Sequence, residues 1–282
     1  MTRTLIGLAI ALLLTGCASI INSATTNIAD NLILSILNQN DLETVRVGAP
    51  AYLIMIDGLI EGEPKSTQLL LSGSKLYSSY NSAFIDDELR SKKMADRSFG
   101  YAKAALCLEL SEVCGGLSLK LDDFKATLST ANKNDLQVLH GFASAWAGWI
   151  QANTDDWNAI ADIPKLKASF EHCVDLDENF DEGSSHVFLG VLASQIPPSL
   201  GGKPEVARTH FEKAIKISGG HNLMIKVLMA EHYSRLIFDQ ELHDNLLNSV
   251  LSEPAEFPRY TLINTLAKQQ SQILLDESPD FF

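Results

Sequence analysis

The chain has 282 residues, enough for one large or two small domains. With 46% hydrophobic and 20% charged residues it has the composition of a globular protein with a sizeable core. Its formal net charge of -13 repels polyanions, which makes nucleic acid and anionic membrane surfaces poor partners.

The N-terminus reads as a targeting segment. Arg3 supplies a positive start, Leu5 to Leu14 is almost continuously apolar, and small residues lead to Cys17. The run is too short to span a bilayer and has signal-peptide flanks. The order Leu14-Thr15-Gly16-Cys17 is the bacterial lipobox, in which the cysteine thiol is acylated and the chain before it is removed. This reading makes residues 1–16 a signal peptide, residues 17–48 a lipid-anchored segment with a first helix, and residues 49–282 the main helical domain. Ala18, where an inner-membrane address would have Asp, points to the outer membrane, on the periplasmic side of the cell envelope.

Beyond Cys17 the pattern is helical nearly everywhere, with no Asn-Gly or Asp-Gly hairpin turn. Tyr52 to Ile56 could pass for a buried strand, but its continuation through Leu59 and Ile60 favours a helix. Leu69 to Phe84 and Asp87 to Val113 read as further helices. Cys107 and Cys114 could pair in an oxidising compartment, which requires the helix to end near Glu112, since a continuous helix holds them too far apart. Cys173 has no obvious partner and reads as a small buried core residue.

The clearest helix runs from Lys203 to Ser218. Pro204 suits its first position, Glu205 complements its dipole, Ala207, Phe211, Ala214 and Ile215 form its apolar stripe, and Gly219-Gly220 stops it. Leu223, Val227 and Ala230 begin another helix, Leu242, Leu246 and Val250 mark a third, and Ile263 to Leu274 a fourth. Pro254 and Pro258 break the chain before the last. Short connections predict antiparallel neighbours.

Two segments align internally. Trp146-Ala147-Gly148-Trp149-Ile150 lies over Phe188-Leu189-Gly190-Val191-Leu192, and Phe170-Glu171-His172-Cys173-Val174 over Phe211-Glu212-Lys213-Ala214-Ile215. Each unit is a helix with a small residue at its packing point, a connection, and a helix with an aromatic knob. This resembles the tetratricopeptide repeat, although Leu166 stands where the repeat expects Ala and Ile196 to Leu200 looks inserted. One hairpin cannot bury both faces, so hairpins stack. The expected fold is all-α, with stacked antiparallel hairpins forming a superhelix whose concave side holds a peptide, a protein or an elongated ligand.

Motifs for bond chemistry are missing. There is no His-Glu-x-x-His, Cys-x-x-Cys, nucleophile elbow or phosphate loop, and the seven histidines show no ligand spacing. Ser72-Gly73-Ser74-Lys75 matches the Ser-x-x-Lys of penicillin-binding proteins without its companion motifs. The chain thus reads as a non-enzyme that needs no metal or cofactor. Trp146 and Trp149 either pack the core or line a ligand channel, and Tyr77, Tyr80 and Tyr101 pose the same choice.

A set of runs in the second half resembles one family, the T component (TatT) that accompanies tripartite ATP-independent periplasmic (TRAP) transporters. They are Pro198-Ser199-Leu200-Gly201-Gly202, His210-Phe211-Glu212-Lys213-Ala214-Ile215, Ser218-Gly219-Gly220-His221-Asn222, Ala230-Glu231-His232-Tyr233, Leu262-Ile263-Asn264 and the tail Asp280-Phe281-Phe282. The resemblance is most specific from Ser184 to Phe282. It implies a lipid-anchored all-helical protein with degenerate tetratricopeptide-like hairpins and a pore. It also implies association with the substrate-binding P subunit and self-association as a homotrimer. Asn222, Glu231, Tyr233 and Asn264 match recurrent polar positions of the family, which either line the channel or satisfy buried backbone ends. A general envelope-assembly scaffold is the alternative.

Overall fold

The computed structural model describes residues 34–282; residues 1–16, expected to be a signal peptide, and Cys17, expected to carry the lipid, lie outside them. The described chain is all-helical, with a repeat-like succession of hairpins and no strand among those residues.

Helix α1 (Leu42–Gly62) is capped by the Asp41 carboxylate, which accepts from the amides of Glu43 and Thr44. Its buried positions Val45, Ala49, Leu53, Ile56 and Ile60 recur every three or four residues, which settles Tyr52 to Ile56 as helix. Pro50 sits inside it and has no amide proton to give the Arg46 carbonyl. The Tyr80 hydroxyl supplies that donor at 3.0 Å, so a helix defect becomes a tertiary tie.

Helices α2 (Thr67–Phe84) and α3 (Glu88–Glu109) follow, capped by Ser66 and Asp87. Helix α3 stops at Glu109, three residues before the expected end, because Leu110 leaves helical geometry at φ -123° and ψ 62°. The chain restarts as α4 (Ser111–Gly116), and the break brings Cys107 and Cys114 to a Cα separation of 5.0 Å, where they form a disulfide. Closing this short loop contributes about 2–3 kcal/mol in the chain-entropy view.

Next come α5 (Leu121–Leu128), α6 (Leu136–Ala152), α7 (Trp157–Ala161), α8 (Ile163–Asp177), α9 (Ser184–Ala193) and α10 (Pro204–Ile217). Helix α11 (Met224–Leu228) runs on into a π-helical turn over Met229–Ser234, and α12 (Gln240–Ser252) and α13 (Thr261–Phe281) complete the chain. Sequential helices pair, α2 with α3, α9 with α10 and α12 with α13, while α3 also packs on α6 across the short α4 and α5. The main core gathers Leu106, Phe124, Phe142, Trp146 and Phe170 from α3, α5, α6 and α8.

The internal repeat holds in packing for one unit only. Gly190 of α9 faces the Phe211 ring so closely that an added methyl would lie 3.0 Å from it, the expected knob against a small notch. In the first unit Phe170 instead stacks on Phe188, with ring centroids 4.4 Å apart, while Gly148 faces Ser78 of α2. The reason is neighbourhood: α6 presents its glycine face to α2, and α8 presents its phenylalanine to α9.

The last helix returns to the first. Leu262 of α13 packs on the cluster formed by Leu53, Ile56, Leu70, Tyr77 and Tyr80. The Arg259 amide donates to Asn38 Oδ1 at 2.6 Å, and Asn40 Nδ2 donates to Glu256 at 3.1 Å.

Candidate functional site

A half-enclosed cleft of about 230 Å³ opens between α2, α3 and α6. Each helix offers small residues at helical spacing: Ser78 and Ser82 from α2, with the larger Ile85 at its cap, Ser91, Ala95 and Ser98 from α3, Ala145, Gly148 and Ala152 from α6. Asn81 and Gln151 complete the lining, and no lining residue is charged. Ser98 is buried and committed, donating to the Ser74 carbonyl at 2.8 Å. Asn81 is held by its Nδ2, which donates to the Ser91 carbonyl at 3.2 Å.

The cleft lies beside two helix C-termini and one N-terminus, since Ser91 stands in the first turn of α3. Asn81, Ser82 and Ile85 belong to the last turn and cap of α2, and Gln151 and Ala152 to the last turn of α6. Final-turn carbonyls have no intrahelical partner and carry the negative end of the helix dipole.

None of the six residues singled out from sequence as ligand or partner contacts lines this cleft. Trp146 is buried against Phe99, Phe124 and Phe142. Trp149 stacks on Phe99 at 5.1 Å and donates its indole proton to Asp96 at 2.8 Å. Asn264 clasps three backbone groups: Oδ1 accepts from the Leu223 amide at 3.0 Å, and Nδ2 donates to the carbonyls of His221 and Ala255 at 3.0 and 3.2 Å. Asn222 is beside this clasp, with its Oδ1 buried and unpartnered among the described residues. Glu231 and Tyr233 lie on the π turn, and Tyr233 packs with Phe211 and Met229.

The tyrosines of the first hairpins serve a polar tie. Tyr77 and Tyr101 each donate to one oxygen of Asp57, both at 2.7 Å, and Arg97 stands over both rings. Burial, then the bond to Asp57, pushes the Tyr77 hydroxyl up to about 12, so it remains a donor.

Two histidine arrangements escaped the sequence reading, because their members lie on different helices. His186 of α9 and His210 of α10 face each other, Nδ1 to Nδ1, at 2.9 Å. His140 bonds Ser184 at 2.7 Å, but Asp181 reaches the serine at 3.2 Å and leaves the imidazole alone. No acid–base relay to a nucleophile is thereby built, and Phe170, Phe180 and Phe188 surround the ring. Among the described residues no three His, Cys, Asp or Glu side chains are grouped to hold a metal, and no helix is long and apolar enough to cross a membrane.

Compared with family models, residues 38–282 match the TRAP transporter T-component. The chain belongs to the TRAP transporter T-component family. The match covers every numbered helix, from α1 to α13, and with it the cleft and the closing contact between α13 and α1. A search of curated proteins finds no match. T components are transport accessory proteins, not a known enzyme family, and membership associates this chain with the transporter and the cell envelope. The runs that carry the resemblance become physical features. Ala230 to Tyr233 forms the π turn, Asn264 the backbone clasp, and Phe281-Phe282 an aromatic knot with Phe238 and His243.

Proposed function

We propose that this T component is a lipid-anchored periplasmic accessory protein. It docks the transporter's substrate-binding P subunit near the membrane and holds a solute in the cleft between α2, α3 and α6. Family membership over residues 38–282 is the observation that carries the reading. The lipid anchor rests on Leu14 to Cys17. Twenty-five positions separate Cys17 from Leu42, a tether that reaches at most about 85 Å when extended.

Docking draws support from the outer face of α1. Val47, Ile54, Met55 and Leu59 are 61%, 75%, 50% and 47% exposed, and helical spacing aligns them on one side. An apolar patch rimmed by polar residues is the usual mark of a protein-binding face. A partner covering it removes that surface from water.

The test titrates the purified P subunit of the same transporter into this protein by calorimetry. Saturable binding that falls at least tenfold in Ile54→Glu/Met55→Glu is expected. Undiminished binding in the double variant moves docking to another face. No binding to the P subunit, with capture of other envelope proteins from a periplasmic extract, replaces the transporter reading by a general scaffold.

A further inference from the structure

We infer that His186 and His210 form a pH-sensitive latch that ties α9 to α10 until both imidazoles become cations, and that this hairpin then opens locally while the rest of the protein stays folded.

The geometry of the contact sets its proton capacity. The two Nδ1 atoms lie 2.9 Å apart and the ring centroids 5.1 Å. A neutral imidazole carries a proton on one nitrogen and a lone pair on the other, so one ring donates and its neighbour accepts. The pair can take up one further proton and keep that bond, because a cationic ring still donates to a neutral one. A second further proton leaves two N–H donors and two positive charges face to face, with no hydrogen bond between them.

The surroundings discourage the charge. His186 is 1% exposed, and its Nε2 has no hydrogen-bond partner among the described residues. The Glu178 carboxylate at the end of α8 stands 3.5 Å from that nitrogen, and Lys213 of α10 draws the same oxygen at 3.3 Å. Lys213 and Lys167 also set positive charge against His210. The other elements packed on α9 have their titratable groups engaged elsewhere. Asp181, in the turn before α9, reaches Ser184 at 3.2 Å and Lys75 at 3.9 Å, and Glu182 is exposed. His140 of α6 bonds Ser184, and His232 of the π turn feels Glu231 and Arg235.

Position gives the latch its leverage. His186 lies one turn before Gly190 on α9 and His210 adjoins Phe211 on α10, so the pair stands beside the notch that Phe211 fills. The turn leading into α9 is strained: Asp181 and Glu182 hold φ 44° and 58°, left-handed geometry that costs energy in residues other than glycine. Releasing α9 lets that turn relax. In the opened hairpin each imidazole regains an ordinary value of about 6.5, so the open form binds more protons below that pH and acid favours it.

The experiment is hydrogen–deuterium exchange of the detergent-purified full chain at pH 7 and pH 5, corrected for the intrinsic pH dependence of exchange. It is repeated on His210→Gln, which keeps a donor and an acceptor but does not titrate. Protection in α9 and α10 should fall about tenfold or more at pH 5, while that in α12 and α13 changes less than about twofold. In the variant the fall in α9 and α10 should shrink below about threefold. An equal fall in the variant, a fall shared by α12 and α13, or no fall at all overturns the latch. Ring-nitrogen NMR of the unaltered protein gives an independent reading if the variant does not fold. Two linked titrations displaced below about 6.5 are expected, and independent titration of both rings near that value overturns the latch.

Discussion

At the scale of single residues, burial decides protonation. His186 is almost fully buried, and burial pushes its imidazole below the ordinary range; the same cause, aided by the charge of His186, takes His210 down to about 4. With Nδ1 atoms 2.9 Å apart one neutral ring donates its Nδ1 proton to the other, and protonating the acceptor would set two N–H donors face to face. A base whose folded pKa lies below its unfolded value binds more protons when unfolded, so its stabilising effect is complete above about 6.5 and is lost as pH falls toward 4. Thermal melts at pH 7 and pH 5 should therefore differ, and His210→Gln should narrow the difference. An equal difference in the variant assigns the acid sensitivity elsewhere. The Cys173 thiol obeys the same rule: burial pushes it up to about 12, so the neutral thiol packs as a small apolar group, as its sequence context suggests.

At the scale of helices, the sequence pattern was readable where a helix has one wet face and hidden where it has none. The α10 signals (Pro204, Ala207, Phe211, Ala214, then Gly219-Gly220) all fall where the structure uses them, and Gly220 donates back to the Ile215 carbonyl at 2.9 Å to finish the turn. Phe211 seats in the notch over Gly190 and is fully buried, so Phe211→Ala should cost about 3–5 kcal/mol in urea unfolding. A loss below 1 kcal/mol would mean the notch collapses freely. The end of α3 shows the opposite case. Nothing in Leu110 itself announces a break, and the turn to the disulfide depends on how α3, α4 and α5 pack around Val113 and Phe124. The π turn of Met229–Ser234 was likewise invisible, because a helix with one extra residue per turn has the same composition as one without.

At the scale of the whole molecule, the first and last helices of the described residues are joined. Leu262 inserts into the N-terminal cluster, and Asn38 and Asn40 bond the segment before α13. Stacked hairpins ordinarily feel only their neighbours, so an end-to-end contact couples elements that a simple stack leaves independent. Leu262→Ala should lower Tm by about 2–4 °C, and amide exchange should quicken in α1 as well as in α13. Faster exchange confined to α13 would show that the ends touch without coupling.

The sequence by itself carried an export-signal pattern, the helical character of the described residues and the kinship to the T components. Each of these follows from information carried by near neighbours in the chain: an apolar run before Leu-x-Gly-Cys, apolar residues at helical spacing, and short runs in a fixed order. Which faces meet was decided by the tertiary structure alone. Trp146 became core and Gly148 faced the cleft although only Ala147 separates them, because 100° per residue turns them to different neighbours. The cleft itself is made of serines and alanines that are ordinary on any one helix. They form a site only when α2, α3 and α6 converge, and no single segment of sequence contains that convergence.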